Sequence, residues 1–399
     1  MNYVLVLNCG SSSLKFAVVN AVDGDQPLSG MAECLGTADA SINFKANGQK
    51  TQQSLEAGGH TAALSALVAF LQTQEALAQN IIAVGHRVVH GGEYFRDSLI
   101  LDDNAIERIR ECSVLAPLHN PAHLLGIEAA QAAFPALPQV AVFDTAFHQQ
   151  MPDYAYLYPL PYEHYKELGV RRYGFHGTSY RYVTGETARL MNRPANELKL
   201  IIAHLGNGAS VAAIRNGHSV DTTMGMTPLE GVVHGTRSGS IDPAIIAYLA
   251  HRLNKNVDEV DAILWKESGL LGLSGMSNDC RTIEETAQNG NERAILTLEI
   301  YSYRLAKAVG ELMIPLGGLD ALVFTGGIGE NSTLIRERTL SWLGFLGLKI
   351  DSTANDAAIR GKAGKITQGE QAAAWVVPTN EELMIARDSA ELAKAEVKS

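Results

Sequence analysis

Two stretches of the sequence, about half the chain apart, share one pattern. Residues Val4–Lys15 read Val-Leu-Val-Leu-Asn-Cys-Gly-Ser-Ser-Ser-Leu-Lys, and residues Leu200–Val211 read Leu-Ile-Ile-Ala-His-Leu-Gly-Asn-Gly-Ala-Ser-Val. Each is an apolar run, a turn of glycine and small polar residues, and the start of a second apolar run, which is the pattern of a β-hairpin. Gly10 corresponds to Gly206 at an offset of 196 residues. A duplicated fold leaves such a repeat, although a match this short can also arise by chance.

The composition is that of a folded protein with a large core. The chain has 399 residues, of which 46% are apolar and 19% charged; this excludes intrinsic disorder and predicts two or three domains. Its 32 basic and 43 acidic residues give a net charge of −11, which argues against a nucleic-acid or anionic-membrane partner. The four cysteines form no C-x-x-C pair, the N-terminus does not resemble a signal peptide, and no apolar run approaches a membrane span. We therefore expect a cytoplasmic protein.

Strand and helix patterns alternate in both halves of the chain. We expect strands at Tyr3–Leu7, Leu14–Val19, Ile81–Val84, Val140–Phe143, Leu200–Ala203, Val211–Ile214, Leu322–Phe324 and Ala374–Val377. We expect helices at Ala62–Ala78, Asp102–Val114, Pro121–Phe134, Pro243–Leu253, Asn291–Ile314 and Thr379–Ala393. Between the halves, Met151–Tyr165 holds five tyrosines and three prolines. Prolines at this density oppose regular helix or strand, so this stretch is either a crossover between domains or an ordinary aromatic surface loop.

Three turns that contain glycine, each directly after a predicted strand, could bind an anionic ligand. The first, Asn8–Lys15, offers serine hydroxyls to phosphate oxygens, a lysine charge and the neutral Asn8 oxygen, which suits a metal-bound water. The second, His204–Gly208, fits a phosphate cradle, and the third, Thr325–Asn331, follows a strand and opens a helix. None matches the P-loop pattern, and the third lacks the last glycine of G-x-G-x-x-G. Each alone can be an ordinary polar turn, but together they indicate a nucleotide.

Four charged or polar residues stand in settings that suit an active site. Arg87 and Arg237 are flanked by glycines, and a guanidinium group suits carboxylate and phosphate oxygens, although each could equally form a structural salt bridge. Asp144 ends a strand, where functional groups of α/β sheets usually lie, or else it caps a turn. His176 follows Phe175 and is either a hydrogen-bond donor to substrate or a packed core residue.

The C-terminal region suggests a helix start with one carboxylate left over. Thr379-Asn-Glu-Glu382 matches a capping box in which Thr379 and Glu382 cap each other's backbone. Glu381 is then free for another role. The histidine pairs His86/His90 and His119/His123 lack the H-E-x-x-H pattern, so we do not expect a zinc site.

Taken together, the motifs resemble those of the acetate kinase family, which belongs to the acetate and sugar kinase/Hsp70/actin superfamily. The resemblance covers nearly the whole chain and rests on Asn8–Phe16, Gly85–Gly92, Ala116–Pro121, Phe143–Phe147, Tyr173–Ser179, His204–Gly208, Asp279–Arg281, Gly326–Asn331 and Pro378–Glu382. It implies an α/β fold of two actin-like (ribonuclease H-like) domains, from a duplicated βββαβα-type core with a cleft between them, and a homodimer. The implied domains are 1–150 plus about 380–399, on the acetate and metal side, and 151–379, on the nucleotide side.

The resemblance also implies roles for individual residues. The implied catalytic group is Asp144, Arg87, His176 and Arg237, and the implied magnesium-site residues are Asn8 and Glu381. The implied ATP site, together with Ser11 and Ser13 of the first turn, comprises Lys15, His204, Leu205, Gly206, Asn207, Gly208, Asp279, Cys280, Arg281, Gly326, Gly327, Ile328, Gly329, Glu330 and Asn331. The implied acetate site adds to Arg87 a small apolar pocket for the methyl group, made of Val89, Leu118, Phe175 and Pro228.

The activity that follows from the resemblance is reversible phosphoryl transfer from ATP to acetate. It would depend on Mg²⁺, with Mn²⁺ as a substitute, give acetyl phosphate and ADP, and proceed by direct in-line transfer. A propionate kinase is the closest alternative, because one extra methylene changes binding by only about 1–3 kcal/mol. The alternative from another class is a non-catalytic, actin-like nucleotide-binding or filament protein.

Overall fold

The computed structural model describes residues 2–56, 58–369 and 372–396, which form two compact units. Unit 1 is Met1–Phe147 with Asn380–Ser399, and unit 2 is His148–Thr379. Residues 397–399, at the end of the predicted segment 380–399, lie outside the described residues. The division of acetate and nucleotide binding between two domains stays a prediction.

Fourteen strands and sixteen α-helices are found in the described ranges. The strands are β1 Tyr3–Cys9, β2 Leu14–Asn20, β3 Leu28–Glu33, β4 Ser41–Ala46, β5 Gln49–Ser54, β6 Ile81–Val88, β7 Leu99–Ile100, β8 Gln139–Phe143, β9 Lys199–Leu205, β10 Ala209–Arg215, β11 His218–Thr222, β12 Ala321–Thr325, β13 Gly364–Lys365 and β14 Ala373–Val376. The helices are α1 His60–Gln72, α2 Glu75–Ala78, α3 Asp103–Glu111, α4 Asn120–Ala133, α5 Asp153–Tyr156, α6 Tyr162–Leu168, α7 Gly177–Met191, α8 Ala244–Leu253, α9 Val257–Lys266, α10 Gly269–Ser274, α11 Cys280–Gln288, α12 Glu292–Leu316, α13 Gly326–Asn331, α14 Thr333–Trp342, α15 Ser352–Ala357 and α16 Glu381–Glu396.

Unit 1 is built on an eight-stranded sheet in the order β5-β4-β3-β2-β1-β6-β8-β7. Strands β1 to β5 form an antiparallel meander, whereas β1, β6 and β8 run parallel. Val140–Phe143 of β8 is buried throughout, as expected for a parallel strand covered on both faces. The carboxyl ends of β1, β6 and β8 therefore lie at one edge of the sheet, which is where Asn8, Arg87 and Asp144 stand.

Unit 2 repeats this topology in a six-stranded sheet of order β11-β10-β9-β12-β14-β13. The series β11-β10-β9-β12-β14 corresponds to β3-β2-β1-β6-β8, with the same antiparallel and parallel pairings. Shifting β1 by the 196-residue offset of the sequence repeat reproduces the bounds of β9. The duplicated α/β fold predicted from the sequence is therefore confirmed.

Helix α16 returns to unit 1 and packs against β6 and β1. It packs closely at Gly85, where an added Cβ would lie 2.5 Å from Ser389 Oγ and 2.7 Å from Ile385 Cγ2. Only a residue without a side chain permits this approach, so Gly85 sets the height of the helix above the sheet. The contact fixes the start of α16, and with it Glu381, near the end of β6.

Several local expectations were wrong. The predicted helix Ala62–Ala78 is broken into α1 and α2, and the proline-rich stretch Met151–Tyr165 contains the short helix α5 and most of α6. Pro152 and Pro161 stand just before those helices, where a missing N–H costs nothing. Strands β7, β11 and β13 and helices α7, α9, α10, α11, α14 and α15 were not predicted.

No helix in the described part of the chain combines the length and the apolar character needed to cross a membrane. The four cysteines are free thiols, and all but Cys34 are buried.

Candidate functional site

In unit 1 the strand register brings the predicted residues of two strands to the same sheet edge. Leu7 pairs with His86 and Asn8 pairs with Lys15, so Asn8 lies beside the end of β6 that carries Arg87. Asp144 follows β8 directly and donates its backbone N–H to Val88 O. The parallel pairing of β6 with β8 thus sets the carboxylate opposite the guanidinium.

Arg87 and Asp144 form a bidentate ion pair. Arg87 Nε lies 3.0 Å from Asp144 Oδ1 and Nη2 lies 2.6 Å from Oδ2. The Asp144 side chain is 2% exposed, whereas that of Arg87 is 23% exposed. Burial alone would lower the pKa of Arg87, but Asp144, with Glu381 and Glu382, raises it overall. The arginine is therefore a permanent cation in a fixed orientation, with part of its surface still accessible.

Glu381 is a buried carboxylate that lacks a complete set of partners. Although the residue as a whole is partly exposed, its Oε1 atom is enclosed and has no hydrogen-bond partner among the residues that the structure describes. Burial raises the pKa of Glu381 to about 7; Arg87 opposes this shift, while Asp144 and Glu382 add to it. A buried carboxylate oxygen without a partner destabilises the folded protein unless a ligand binds to it.

The capping box predicted at this helix start is wrong. Asn380 caps α16 instead, because its Oδ1 accepts from Leu383 N at 3.0 Å. Thr379 Oγ1 instead lies 2.8 Å from Ser179 Oγ within unit 2. Glu382 is occupied by Lys15, whose Nζ lies 2.5 Å from its carboxylate. Burial alone would raise the pKa of Glu382, but the Lys15 hydrogen bond lowers it overall.

The remaining predicted residues of unit 1 are two serines of the β1–β2 turn and two apolar residues predicted for the methyl pocket. Ser11 is exposed and Ser13 half-exposed in the turn between β1 and β2, which is closed by a 2.8 Å bond from Gly10 N to Ser13 O. Val89 is buried just after β6, and Leu118 is 58% exposed before α4. Leu118 thus has an uncovered apolar surface, as a pocket wall requires, while Val89 packs in the core.

In unit 2 the turn between β9 and β10 lies next to two residues of the implied catalytic group. A Cβ added at Gly208 would lie 3.4 Å from Arg237 Nη1 and 3.5 Å from His176 Nε2. Arg237 is held by a 3.1 Å bond from Nη1 to Pro228 O, and its guanidinium lies 5.3 Å from the centre of the Trp265 ring. The structure therefore brings His176, Arg237 and Gly208 together.

His176 is held in an unusual backbone conformation at the start of α7. Its φ is +59°, which costs a residue other than glycine about 1–2 kcal/mol. Its Nδ1 lies 2.8 Å from Ser210 Oγ, and its ring stacks on His204 with centroids 4.1 Å apart. His204 in turn lies 2.8 Å from Ser179 Oγ through Nδ1. This packing directs His176 Nε2 towards the Gly208 turn.

A cavity of about 880 Å³ collects the predicted nucleotide residues of unit 2. It is lined by members of all three predicted segments, namely Gly206, Asn207, Asp279, Cys280, Arg281, Gly327, Ile328 and Asn331. Its lining also includes Asn278, Glu284, Ser332, Ile359 and Arg360, which sequence reasoning missed. Asn278 and Ser332 directly adjoin predicted segments, but no sequence signal links Ile359 and Arg360 to this cavity.

The third glycine turn begins α13. The sequence predicts that the first N–H of this helix is free to bind an anion, but in the structure it is paired. Gly326 has a φ of +75°, and an added Cβ would lie 2.9 Å from Leu205 O, so the position requires glycine. Its N–H donates to Glu330 Oε1 at 2.9 Å, and Thr379 N donates to the same oxygen at 3.1 Å. Glu330 therefore holds the turn, which is a structural role distinct from the predicted contact with ATP.

The other predicted residues of unit 2 are mainly buried or internally paired. Phe175 is buried in the core, and Cys280 is a buried thiol at the cavity wall. Burial, with help from Glu284, raises the pKa of Cys280, so this thiol stays protonated. Leu205 is buried in β9 and Gly329 in α13.

Magnesium fits the residues of unit 1. Within the described ranges no group of three or more His, Cys, Asp and Glu side chains is arranged to hold a metal ion. Mg²⁺ does not need such a group, because it keeps several waters and often uses one or two protein oxygens with substrate phosphates. The orphaned Oε1 of Glu381 is an oxygen donor of this kind.

Comparison with known proteins gives a consistent result over nearly the whole chain. Residues 3–387 match the model of the Acetokinase family. A protein of Chromobacterium violaceum named acetate kinase is 56% identical over 390 residues, covering 98% of both chains.

Two solved structures share the fold over nearly their full length. The Porphyromonas gingivalis acetate kinase is 42% identical with a TM-score of 0.94, covering 98% of this chain and 100% of that one. A Francisella tularensis propionate kinase is 46% identical with a TM-score of 0.92, covering 97% of this chain and 99% of that one.

Proposed function

This chain belongs to the acetokinase family, and we propose that it catalyses the reversible, Mg²⁺-dependent transfer of a phosphoryl group from ATP to acetate, giving ADP and acetyl phosphate. The observation that carries the proposal is the bidentate pair of Arg87 with Asp144, which presents a fixed and partly accessible guanidinium to a carboxylate substrate. The relatives from C. violaceum and P. gingivalis are named acetate kinases.

The chemistry requires positioning and charge neutralisation more than a base. A carboxylic acid with a pKa of about 4–5 is already ionised at neutral pH, so no proton has to be removed from acetate. The barrier comes from repulsion between an anionic nucleophile and an anionic γ-phosphate. Oriented cations lower that barrier, because they act where the transition state carries its charge.

In unit 1, Arg87 binds the acetate carboxylate. Asp144 acts as a positioning residue that holds the guanidinium plane, because its two oxygens accept from Nε and Nη2. Because acetate is already ionised, the buried Asp144 does not act as a general base. The pair therefore orients the nucleophile towards the phosphorus atom.

In unit 2, Arg237 and His176 stabilise the oxygens of the transferring phosphoryl group. Both lie against the Gly206–Gly208 turn, whose backbone can approach phosphate oxygens closely. Ser210 at 2.8 Å from His176 Nδ1 fixes the ring so that Nε2 faces the turn. Removing one such donor is expected to cost on the order of 3–4 kcal/mol of barrier.

Asn8 and Glu381 are the residues that would hold Mg²⁺, with Mn²⁺ as a substitute. When bound, the ion supplies charge neutralisation for the nucleotide phosphates. Glu381 contributes a carboxylate whose enclosed Oε1 has no partner in the described part of the chain, and Asn8 contributes a neutral oxygen at the end of β1. Lys15, which pairs with Glu382 beside them, is proposed to bind nucleotide phosphate from the same edge.

The choice of acetate over propionate depends on the volume around the methyl group. We propose that Leu118, which is 58% exposed in unit 1, contacts the methyl group. The methyl-pocket roles expected for Val89, Phe175 and Pro228 stay predictions. The F. tularensis relative is named a propionate kinase, so propionate is the nearest competing substrate. Because one methylene is worth about 1–3 kcal/mol, propionate should react as a poor substrate.

Initial rates of ADP formation with acetate, propionate and butyrate test the proposal directly. We expect the highest kcat/KM with acetate and a lower value for each added methylene. Equal values for acetate and propionate would reassign the substrate. ADP formation independent of any carboxylate would instead favour a nucleotide-binding protein of actin type.

We propose that transfer is direct and in line, without a phosphorylated enzyme intermediate. The reason is that acetate is itself the ionised nucleophile, so no side chain has to carry the phosphoryl group. Isolation of a phosphoprotein that forms and decays as fast as turnover would contradict this. The homodimer and the cytoplasmic location stay predictions.

A further inference from the structure

The cavity of unit 2 contains two arginines whose surroundings differ. Arg281 is held by Asp279, with Nε 3.2 Å from Oδ1 and Nη2 2.8 Å from Oδ2. Arg360 also lines the cavity, but in the described ranges no group accepts a hydrogen bond from its guanidinium. The exposed Arg360 is therefore the cation of this cavity that is available to a ligand.

The backbone places Arg360 in a tight turn that does not favour arginine. Lys362 N donates to Ile359 O at 3.2 Å, and the two central residues, Arg360 and Gly361, have φ values of +54° and +82°. Two successive positive φ values define a type I′ turn, for which Asn-Gly is the preferred pair. Turn formation alone therefore gives no reason for arginine at the first central position.

The turn is fastened to the third glycine segment by one side chain. Arg360 N donates to Asn331 Oδ1 at 3.1 Å, while Asn331 Nδ2 donates to Gly327 O at 2.9 Å. Asn331 thus links the Arg360 turn to α13. The guanidinium is carried on a backbone that is fixed relative to the cavity wall.

The position along α13 indicates which part of a nucleotide Arg360 meets. Gly208, next to Arg237 and His176, marks the phosphate-transfer end of the site in the proposed function. Gly326 begins α13 beside Leu205, and Asn331 ends it. Five residues of helix advance about 7.5 Å, so Arg360 lies away from the strand ends, where the nucleoside would extend.

We propose that Arg360 is a nucleotide-binding residue that stacks its guanidinium on the base of ATP and ADP. A planar guanidinium stacks on aromatic rings, which a lysine ammonium cannot do in the same way. This inference rests on the proposed function, because it takes the cavity to be the nucleotide site. Arg360 affects affinity for the nucleoside part and does not take part in phosphoryl transfer.

The test is binding of Mg·ADP and of Mg·tripolyphosphate to the full chain, measured by calorimetry without acetate. The variants are Arg360→Asn, which suits the I′ turn and should fold, and Arg360→Lys, which keeps the charge. Lys362→Asn is the matched control, because Lys362 belongs to the same turn but is not among the described residues that line the cavity.

We expect Arg360→Asn and Arg360→Lys to raise the Kd of ADP about tenfold and to leave that of tripolyphosphate unchanged, with Lys362→Asn like wild type. ADP affinity unchanged in Arg360→Asn, while wild type binds ADP, would overturn this inference alone. The inference would also be overturned if Arg360→Asn weakened the binding of tripolyphosphate as much as that of ADP, or if Arg360→Lys bound ADP as tightly as wild type. In either case Arg360 would be a phosphate contact. A wild-type chain that binds no ADP would refute the proposed function as well.

Discussion

The proposed chemistry depends mainly on single side chains, and their ion-pair partners fix how those side chains are oriented. Sequence reasoning could select Arg87 because a glycine-flanked arginine just past a predicted strand is a poor surface residue. It could not show that Asp144 accepts from two of the three guanidinium nitrogens, Nε and Nη2, since that pairing joins residues 57 positions apart. Nor could it show that Glu382 is paired with Lys15, because only the packing of α16 decides which glutamate faces which cation.

Replacing Asp144 by Asn should impair acetate binding and orientation more than nucleotide binding. The amide cannot accept from both Arg87 nitrogens, and the guanidinium loses its fixed orientation. We expect kcat/KM for acetate to fall on the order of 100-fold, with KM for ATP nearly unchanged. Steady-state kinetics with each substrate varied will measure this, with the exposed Asp39→Asn as control. A variant with normal kcat/KM for acetate would refute the positioning role.

Glu381 predicts how metal binding depends on pH. The pKa of Glu381 is raised to about 7 in the folded protein, above its ordinary value of 4.5. Between these values the unfolded chain releases the proton and the folded chain keeps it, so this group makes metal-free protein less stable as pH rises. Mg²⁺ needs the ionised carboxylate, so its stabilising effect should grow over the same range.

The measurement is the shift in Tm on adding Mg²⁺ at about pH 6 and about pH 8. Wild type should show the larger shift at the higher pH, whereas Glu381→Gln should show little shift at either. If Mg²⁺ shifted the Tm of Glu381→Gln as much as that of wild type, Glu381 would not be a residue of the metal site.

At the scale of elements, the hairpins and buried strands were predictable but the short helices were not. The runs at β1, β2, β9 and β10 are apolar and bounded by glycine turns, so local pattern and tertiary burial agree. Helix α7 follows a histidine in the left-handed conformation, a start that capping rules do not anticipate. The end of α16 that carries Glu381 depends on Asn380, which sequence reasoning passed over in favour of Thr379.

Gly85→Ala should displace α16 and so weaken both stability and the metal site. The added Cβ would meet Ser389 Oγ at 2.5 Å and Ile385 Cγ2 at 2.7 Å. We expect a loss of about 1–3 kcal/mol in the free energy of unfolding and a weaker response to Mg²⁺. Gly310→Ala in α12 is the control, because among the described residues no atom beyond the adjacent helix backbone lies within 4 Å of the added Cβ, and alanine favours a helix. Urea unfolding will give the free energy of unfolding of both variants. Equal values for Gly85→Ala and wild type would contradict the packing argument.

For the whole molecule, the duplication could be inferred from the 196-residue offset, whereas the burial of polar groups could not. Four of the buried histidines, namely His86, His123, His148 and His234, have a lowered pKa. Burial is the main cause that lowers the pKa of His123 to about 3 and that of the other three to about 4. Such values depend on long-range packing, which no local pattern records.

These histidines predict acid lability. In the unfolded chain they bind protons below their ordinary pKa of 6.5, while the folded protein keeps them neutral down to about pH 4. Stability should therefore fall as pH falls through this window, by up to about 3 kcal/mol for each histidine. Urea midpoints from pH 7 to about pH 5 should fall less steeply in His148→Gln than in wild type, and the exposed His164→Gln should match wild type. Identical slopes for His148→Gln and wild type would contradict this.

The central claim is that this chain phosphorylates acetate with cations held by two copies of one fold. The most direct measurement is trapping of acetyl phosphate as its hydroxamate, in the presence of Mg²⁺, ATP and acetate, with wild type and Arg237→Ala. Wild type should form the hydroxamate, and the variant should be slower by about 100- to 1,000-fold, while the exposed Arg387→Ala should keep the wild-type rate. No acetate-dependent hydroxamate from wild type, or an undiminished rate in Arg237→Ala, would contradict the account.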